Sequence, residues 1–256
     1  MSLETPRTVR VWAASLAVAL MAAGCGGTGL LKPQYEYEED LYPALDGSVT
    51  LYVNASLASL SALTGLDVTT DPKAYIDRPR IRRMFQAPGV AVGTPTLSRR
   101  DGRRFVHLRL EAESLQALSA VAPLAWSTYG FEREGELYVF RHRIGASANR
   151  AVGHAGWTGK ELVAFRVHPP SRITFHNSQQ EVERGNILTW VQPLSARLQG
   201  APLDLEVRME ASSILARTLL LFGATILAAL VAFGIVIWWI ARKGKSAATP
   251  ASRSAH

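Results

Sequence analysis

Four arginines bracket one turn. Arg99, Arg100, Arg103 and Arg104 flank Asp101-Gly102, a dipeptide that closes tight hairpins. A guanidinium is a planar fork of donors that fits phosphate oxygens two at a time. Such a tip suits an anionic lipid head group, each basic residue near a charged bilayer contributing ~1 kcal/mol. Other residue types give less. His107, His142, His154, His168 and His176 are scattered, no pair has helix-face ligand spacing, and no HExxH occurs. His107 and His142 fall in segments that read as neighbouring strands, the nearest approach to a pair of metal ligands. The chain has no G-x-S-x-G elbow and no P-loop. Its one cysteine, Cys25, excludes internal disulfides and any Cys-based zinc cluster. The residues therefore lead us to expect no catalytic residues, no metal and no cofactor.

The net charge of +7 invites a nucleic-acid reading, and its distribution argues against one. Between Gly26 and Ser212 there are 21 Lys+Arg and 20 Asp+Glu, nearly balanced. The excess sits at Arg7, Arg10, Arg217, Arg242, Lys243, Lys245 and Arg253, flanking two apolar segments. That pattern is a topology signal. Within the balanced region charge is segregated: Pro33 to Pro72 holds seven acids and no Lys or Arg, whereas Lys73 to Arg109 holds ten Lys+Arg and two acids.

The first apolar segment reads as an export signal over residues 1–24. Arg7 and Arg10 precede Val11 to Ala23, which at ~1.5 Å per residue is too short to span a bilayer. It ends Met21-Ala22-Ala23-Gly24-Cys25, similar to the lipobox of bacterial lipoproteins, with Ala22 where that motif has Leu. Cys25 is thus the expected lipidation site, and residues 25–33, with Gly26, Gly27 and Gly29, the tether. The second segment, Thr218 to Ile240, has no charge over 23 residues, ~34 Å as a helix. Trp238 and Trp239 at its far end, then Arg242 and Lys243, are the expected interface anchors. Positive-inside logic puts that end in the cytoplasm and the folded part outside. We assign residues 34–212 to an extracytoplasmic domain, 213–241 to the membrane helix and 242–256 to a basic cytoplasmic tail. Ala224, Ala228 and Ala232, four apart, would permit weak homo-association within the membrane.

The domain must position whatever site it has. Tyr35 to Leu45 and Val49 to Val53 read as strands around Asp46-Gly47. Leu57, Leu60 and Leu63 mark a helix ending at Gly65, and Arg78 to Ala87 a second. Val90 to Leu97 and Arg104 to Leu110 form the hairpin with the arginine tip. Ser114 to Val121 reads as a short helix, and Trp126 to Glu132 with Leu137 to Arg143 as another hairpin. After a Gly-rich stretch, Gly145 to Gly159, come strands at Leu162 to Val167, Ile173 to Phe175, Ile187 to Val191 and Leu203 to Val207. The expected class is α+β: an antiparallel β-sheet with two or three short helices, plus one C-terminal transmembrane helix.

The stretch from Phe165 through His168-Pro169-Pro170-Ser171 to Asn177, followed by Gly185-Asn186 and Trp190, resembles the C-terminal part of the LppM-like bacterial lipoprotein domain family. That family shares the layout of lipobox, strand-rich domain, single membrane helix and basic stub. Pro170 departs from it, standing where Gly follows Pro. The resemblance implies an association with lipid or glycolipid at the cell envelope and brings no catalytic residues.

Taken together, the sequence leads to a tethered lipoprotein of the bacterial inner membrane that binds membrane lipid or another amphiphile. A domain of that kind is expected to hold an apolar cavity with basic residues at its mouth. The alternative is a non-catalytic assembly component of an inner-membrane complex, with an envelope protein as partner. Nucleic acid is not an expected partner.

Overall fold

The computed structural model describes residues 34–71, 73–183 and 185–246. The signal segment, Cys25, the tether and the end of the basic tail lie outside the described residues. The chain divides into one unit of residues 1–35 and a second from Glu36 onward.

The Tyr-Glu alternation becomes β1 (Tyr35–Pro43), with odd-numbered residues facing inward. The chain reverses at Gly47 (φ +91°), where the Asp46 carboxylate accepts from the Ser48 N–H and hydroxyl, and returns as β2 (Val49–Ser56). Helix α1 (Leu57–Thr64) starts where the Ser56 hydroxyl accepts from the Ser59 N–H, and stops at Gly65 (φ +77°), whose N–H bonds the Ser61 carbonyl. Every residue from Leu57 to Leu63 is buried, because the loop after residue 145 covers the helix: Ala148 N–H donates to Leu63 O and Arg150 N–H to Ala62 O.

Helix α2 (Arg78–Met84) is capped by Asp77, which accepts from the Arg80 N–H at 2.9 Å, and it buries Ile81. The single strand expected over Val90 to Leu97 is two, β3 (Val90–Val92) and β4 (Thr96–Arg100), each paired antiparallel to β5 (Arg103–Ala112). Pro95 has no N–H to give the ladder, so pairing breaks there. Two short 3₁₀ turns, Leu115–Ala120 and Ala122–Leu124, lead to the hairpin β6 (Ser127–Glu134) and β7 (Leu137–Ile144). Then follow β8 (Leu162–Val167), β9 (Ser171–His176), β10 (Leu188–Pro193), the short helix α3 (Leu194–Leu198), β11 (Leu203–Ser213) and helix α4 (Ile214–Ser246).

The strands form two sheets. The larger runs β10-β8-β1-β2-β5-β3, with β4 also on β5, and the smaller β6-β7-β11-β9. This corrects the expectation of a wholly antiparallel sheet. Ascending residues of β8 meet ascending residues of β1: Phe165 packs near Tyr37, Arg166 pairs with Glu38, and His168 N–H bonds Leu41 O. That places β8 parallel to β1 and makes the larger sheet mixed. Hairpins force antiparallel neighbours, but β8 arrives over a long loop and is free of that constraint.

The inner faces meet in one core. Tyr37 and Phe165 of the larger sheet contact Trp126, centroids 5.6 and 6.2 Å apart, and His142 of the smaller sheet lies 5.9 Å from Phe165. Val163, Leu41, Leu51, Phe140, Val207 and Met209 all belong to this core and are fully buried. Each such side chain contributes roughly 1.5–3 kcal/mol.

Candidate functional site: the ends of the domain and the network between the sheets

Strand directions set the geography. β1 and β8 descend together while β2 ascends, so the β1–β2 turn and the end of β8 share one end of the larger sheet. Four residues beyond β8, Ser171 lies opposite Ser213, the last residue before α4. The apolar helix therefore leaves from that end, with no linker. The arginine tip, beyond the Arg100–Arg103 pair, lies at the other end. At ~3.3 Å per strand residue, the two ends are about 25–30 Å apart.

The tip arginines are bound to the body of the domain. Arg103 reaches Glu36 at 3.1 Å and donates to Gly156 O at 2.9 Å. Arg104 donates to Ala74 O. Arg100 lies over the Phe105 ring, 4.1 Å from its centroid, and 3.9 Å from the Glu36 carboxylate. Arg99 is exposed. The acidic first strand that sequence segregation set apart thus receives the basic hairpin directly.

At the end from which α4 leaves, aromatic and basic groups collect. Tyr42 stacks on His168 (3.9 Å, 12°) and meets Tyr52 edge-on, with Arg109 over Tyr52 at 5.9 Å. Tyr42 is 42% exposed. Arg172, also exposed, reaches Glu210 at 3.6 Å. Asn186, held at φ +65°, donates through its side-chain amide to Pro169 O (2.7 Å) and Ser171 O (2.8 Å). Asn177 accepts from Trp190 Nε1 at 3.1 Å and from the Glu206 N–H. The distinctive late motif is therefore a clamp: it fixes the Pro-Pro-Ser turn into β9, whose first residue, Ser171, lies opposite Ser213 at the start of α4. Tyr42, His168 and Asn186 gave no chemical signal as isolated residues. Their relation appears only once β8 lies beside β1.

In α4 the described part carries exposed apolar side chains, including Leu220, Leu227 and Phe233. Its segment Thr218–Ile240 is long and apolar enough to cross a membrane. Trp238 and Trp239 are exposed, and Arg242 lies 5.2 Å from the Trp238 centroid. Lys243 follows within the same helix, which runs to Ser246, beyond the boundary at 241 expected for it.

Between the sheets lies a polar network. Glu39 is fully buried, and Tyr37 donates to it at 2.6 Å. Burial pushes its carboxyl up to about 7, against hydrogen bonds and the positive Arg197, which lower it. Tyr129 neighbours it, and burial followed by the Glu39 charge raises both tyrosine hydroxyls. Arg197, also fully buried, donates to Gly145 O and lies 5.3 Å from the Trp126 centroid. His142 is driven down to about 3 by burial, so it stays neutral. Both its ring nitrogens lack a hydrogen-bond partner among the described residues. His107 lies in the other sheet, bonded to Ser98 and Asn54, so the two histidines are not on neighbouring strands. Glu39 and Arg197 are fully buried, whereas Tyr129 and His142 reach the groove on the smaller sheet.

The outer face of the smaller sheet holds a groove of about 490 Å³ lined by Arg141, Arg143, Asn177, Asp204 and Glu206. Its charges are partnered, Arg143 with Asp204 at 2.7 Å and Arg141 with Glu134 at 3.0 Å.

The chain matches no protein-family model and no curated protein. Among solved structures it is similar to the folded domain of the Mycobacterium tuberculosis protein LppM, determined by NMR. The identity is 14% and the TM-score 0.38, over 74% of this chain and 98% of that one. A likeness at that level assigns neither family nor function.

Proposed function

We propose that this chain is a non-catalytic, membrane-anchored binding module that meets lipid head groups on the extracytoplasmic side with the end of its domain where α4 begins. One observation carries the reading: Ser171 sits opposite Ser213, so the folded sheet passes into an apolar helix without a linker. A domain joined this way keeps its near end at the bilayer surface. Tyr42, Tyr52, His168, Arg109 and Arg172 occupy that end, and amphipathic rings with guanidinium groups are what an interface of head groups favours. The Arg99–Arg104 tip, at the far end and bound to Glu36, Gly156 and Ala74, is the less favoured contact surface. The orientation rests on the Lys and Arg that follow Trp239.

The test uses the full chain in nanodiscs, in a Cys25→Ser background, with an environment-sensitive fluorophore on Tyr42→Cys or on Gly102→Cys. Head-group spin labels should quench the probe at 42 and spare the one at 102. Quenching at 102 alone would return the contact to the arginine tip and sink this reading.

The polar groove favours a second reading, an assembly component whose partner seats on the smaller sheet. On that reading Thr128→Trp, which fills the groove, disrupts a co-purifying complex and leaves quenching at 42 unchanged.

A further inference from the structure

Helix α2 carries four arginines in seven residues: Arg78, Arg80, Arg82 and Arg83. Arg80 is engaged, 3.3 Å from Asp67. Arg82 donates its Nε to Val92 O at 2.8 Å, which fixes the guanidinium plane and leaves its two terminal nitrogens without a partner among the described residues. The side chains of Arg78 and Arg83 form neither hydrogen bond nor ion pair among the described residues. These three arginines, with Pro79, Gln86 and Pro95, line a groove of about 350 Å³ between α2 and the β3–β4 connection. No acidic side chain lines it.

Helix electrostatics does not account for the set. Arg82 and Arg83 lie in the last turn, where a cation complements the backbone dipole. Arg78 is the first helical residue, where the same dipole repels it. Arg78 and Arg82 are four apart, so two like charges share one face of the helix. The sequence gathers positive charge here against local preference, and one of the three forks is held in place by the backbone. Such an arrangement is relieved by an anion between the forks.

We propose that this groove is an oxyanion site that takes the phosphate group of a soluble phosphoester. Three guanidinium forks suit a phosphate monoester with its several terminal oxygens better than a carboxylate with two. Pro79 and Pro95 wall the groove with apolar surface that shields the ion pairs from water, and Gln86 supplies an uncharged donor. The groove lies along the β3–β4 edge of the larger sheet, whereas α4 leaves from the smaller, so this site stands or falls apart from the head-group reading.

The test is a titration of the full chain, in phosphatidylcholine nanodiscs, with inorganic phosphate, followed by ³¹P line broadening. Saturable broadening is expected for the wild type. In Arg78→Gln/Arg83→Gln the apparent Kd should rise at least tenfold. Arg133→Gln/Lys160→Gln, which removes the same charge elsewhere, should bind like the wild type. Absence of saturation in the wild type, or an equal loss in the charge-matched control, overturns the site. Nanodiscs rich in phosphatidylglycerol should leave phosphate affinity unchanged; competition by that lipid would overturn the soluble source.

Discussion

Arg103 holds its guanidinium 3.1 Å from the carboxylate of Glu36, a side chain left 3% exposed. Trp157 Nε1 donates to the same carboxylate at 3.3 Å. Removing the cation leaves a buried carboxylate offset only by the Trp157 bond and by Arg100, 3.9 Å away. Arg103→Gln is therefore expected to destabilise the domain by about 2 kcal/mol, and by thermal melting to lower Tm by roughly 4–8 °C. An unchanged melt would mean that the pair contributes nothing and the tip is free after all.

Glu39 and His142 give opposite pH dependences. The Glu39 carboxyl is raised from 4.5 to about 7, so the native state holds a proton that the unfolded chain has released. Its contribution is fully present below pH 4.5 and is lost as pH rises through about 7. His142 is depressed from 6.5 to about 3, so the unfolded chain takes up a proton first. Its contribution is present above pH 6.5 and is lost as pH falls toward 3. Between pH 4.5 and 6.5 the two slopes oppose each other, and stability should be nearly flat in denaturant titrations. Each substitution unmasks the other slope. Glu39→Gln should make stability rise with pH up to 6.5 and then level off. His142→Phe should make it fall from pH 4.5 to 7, on the order of 3 kcal/mol in all. Parallel profiles in the two variants would show that these groups do not titrate as described.

The Asn186 clamp separates backbone conformation from hydrogen bonding. Asn186→Gly keeps the left-handed backbone and loses two bonds to Pro169 and Ser171. Asn186→Ala loses the bonds and strains φ as well. Urea midpoints should rank wild type, then Gly, then Ala, the whole span being about 1–3 kcal/mol. An alanine variant as stable as the glycine variant would argue that residue 186 adopts another backbone geometry.

The two proposed anchors can be told apart. Leu227→Asp with Val231→Asp puts two carboxylates in the apolar span, at about 2.5–3.5 kcal/mol each for insertion. If Cys25 is acylated, this variant should still sediment with membranes after carbonate washing. Adding Cys25→Ser should release it. Release by the helix substitutions alone would remove lipidation from the picture.

Much of the fold was legible where one local signal decided the outcome. Asp46-Gly47 and Asp101-Gly102 each closed a turn, and Gly65 ended a helix, by their own chemistry. The strand Leu162–Val167 was readable as an apolar run, but its partner was not. Nothing local says that a strand arriving after a long loop will lie parallel to β1. Helix α3 escaped notice because it is five residues long, follows Pro193 and has no side-chain cap. The inter-sheet network left one readable trace: Tyr35, Tyr37, Glu39 and Leu41 share the inward face of β1, and Glu39 is the residue that breaks that apolar set. Its partner Arg197 gave no sign, since burial of an arginine on a short helix depends on where a loop carbonyl, that of Gly145, comes to rest. The arginine tip was read correctly as a turn, while its neighbours, Glu36 and Gly156, come from distant parts of the chain.

The directions of β1 and β11 bear on how far the domain can move. The chain enters at the end of the larger sheet opposite the one from which it departs into α4. Cys25 precedes Gln34 by nine residues, a reach of at most ~32 Å. A nine-residue strand such as β1 is itself ~30 Å long. If Cys25 carried a lipid in the bilayer that holds α4, the nine residues up to Gln34 would need nearly their full extended length to match the height of such a strand.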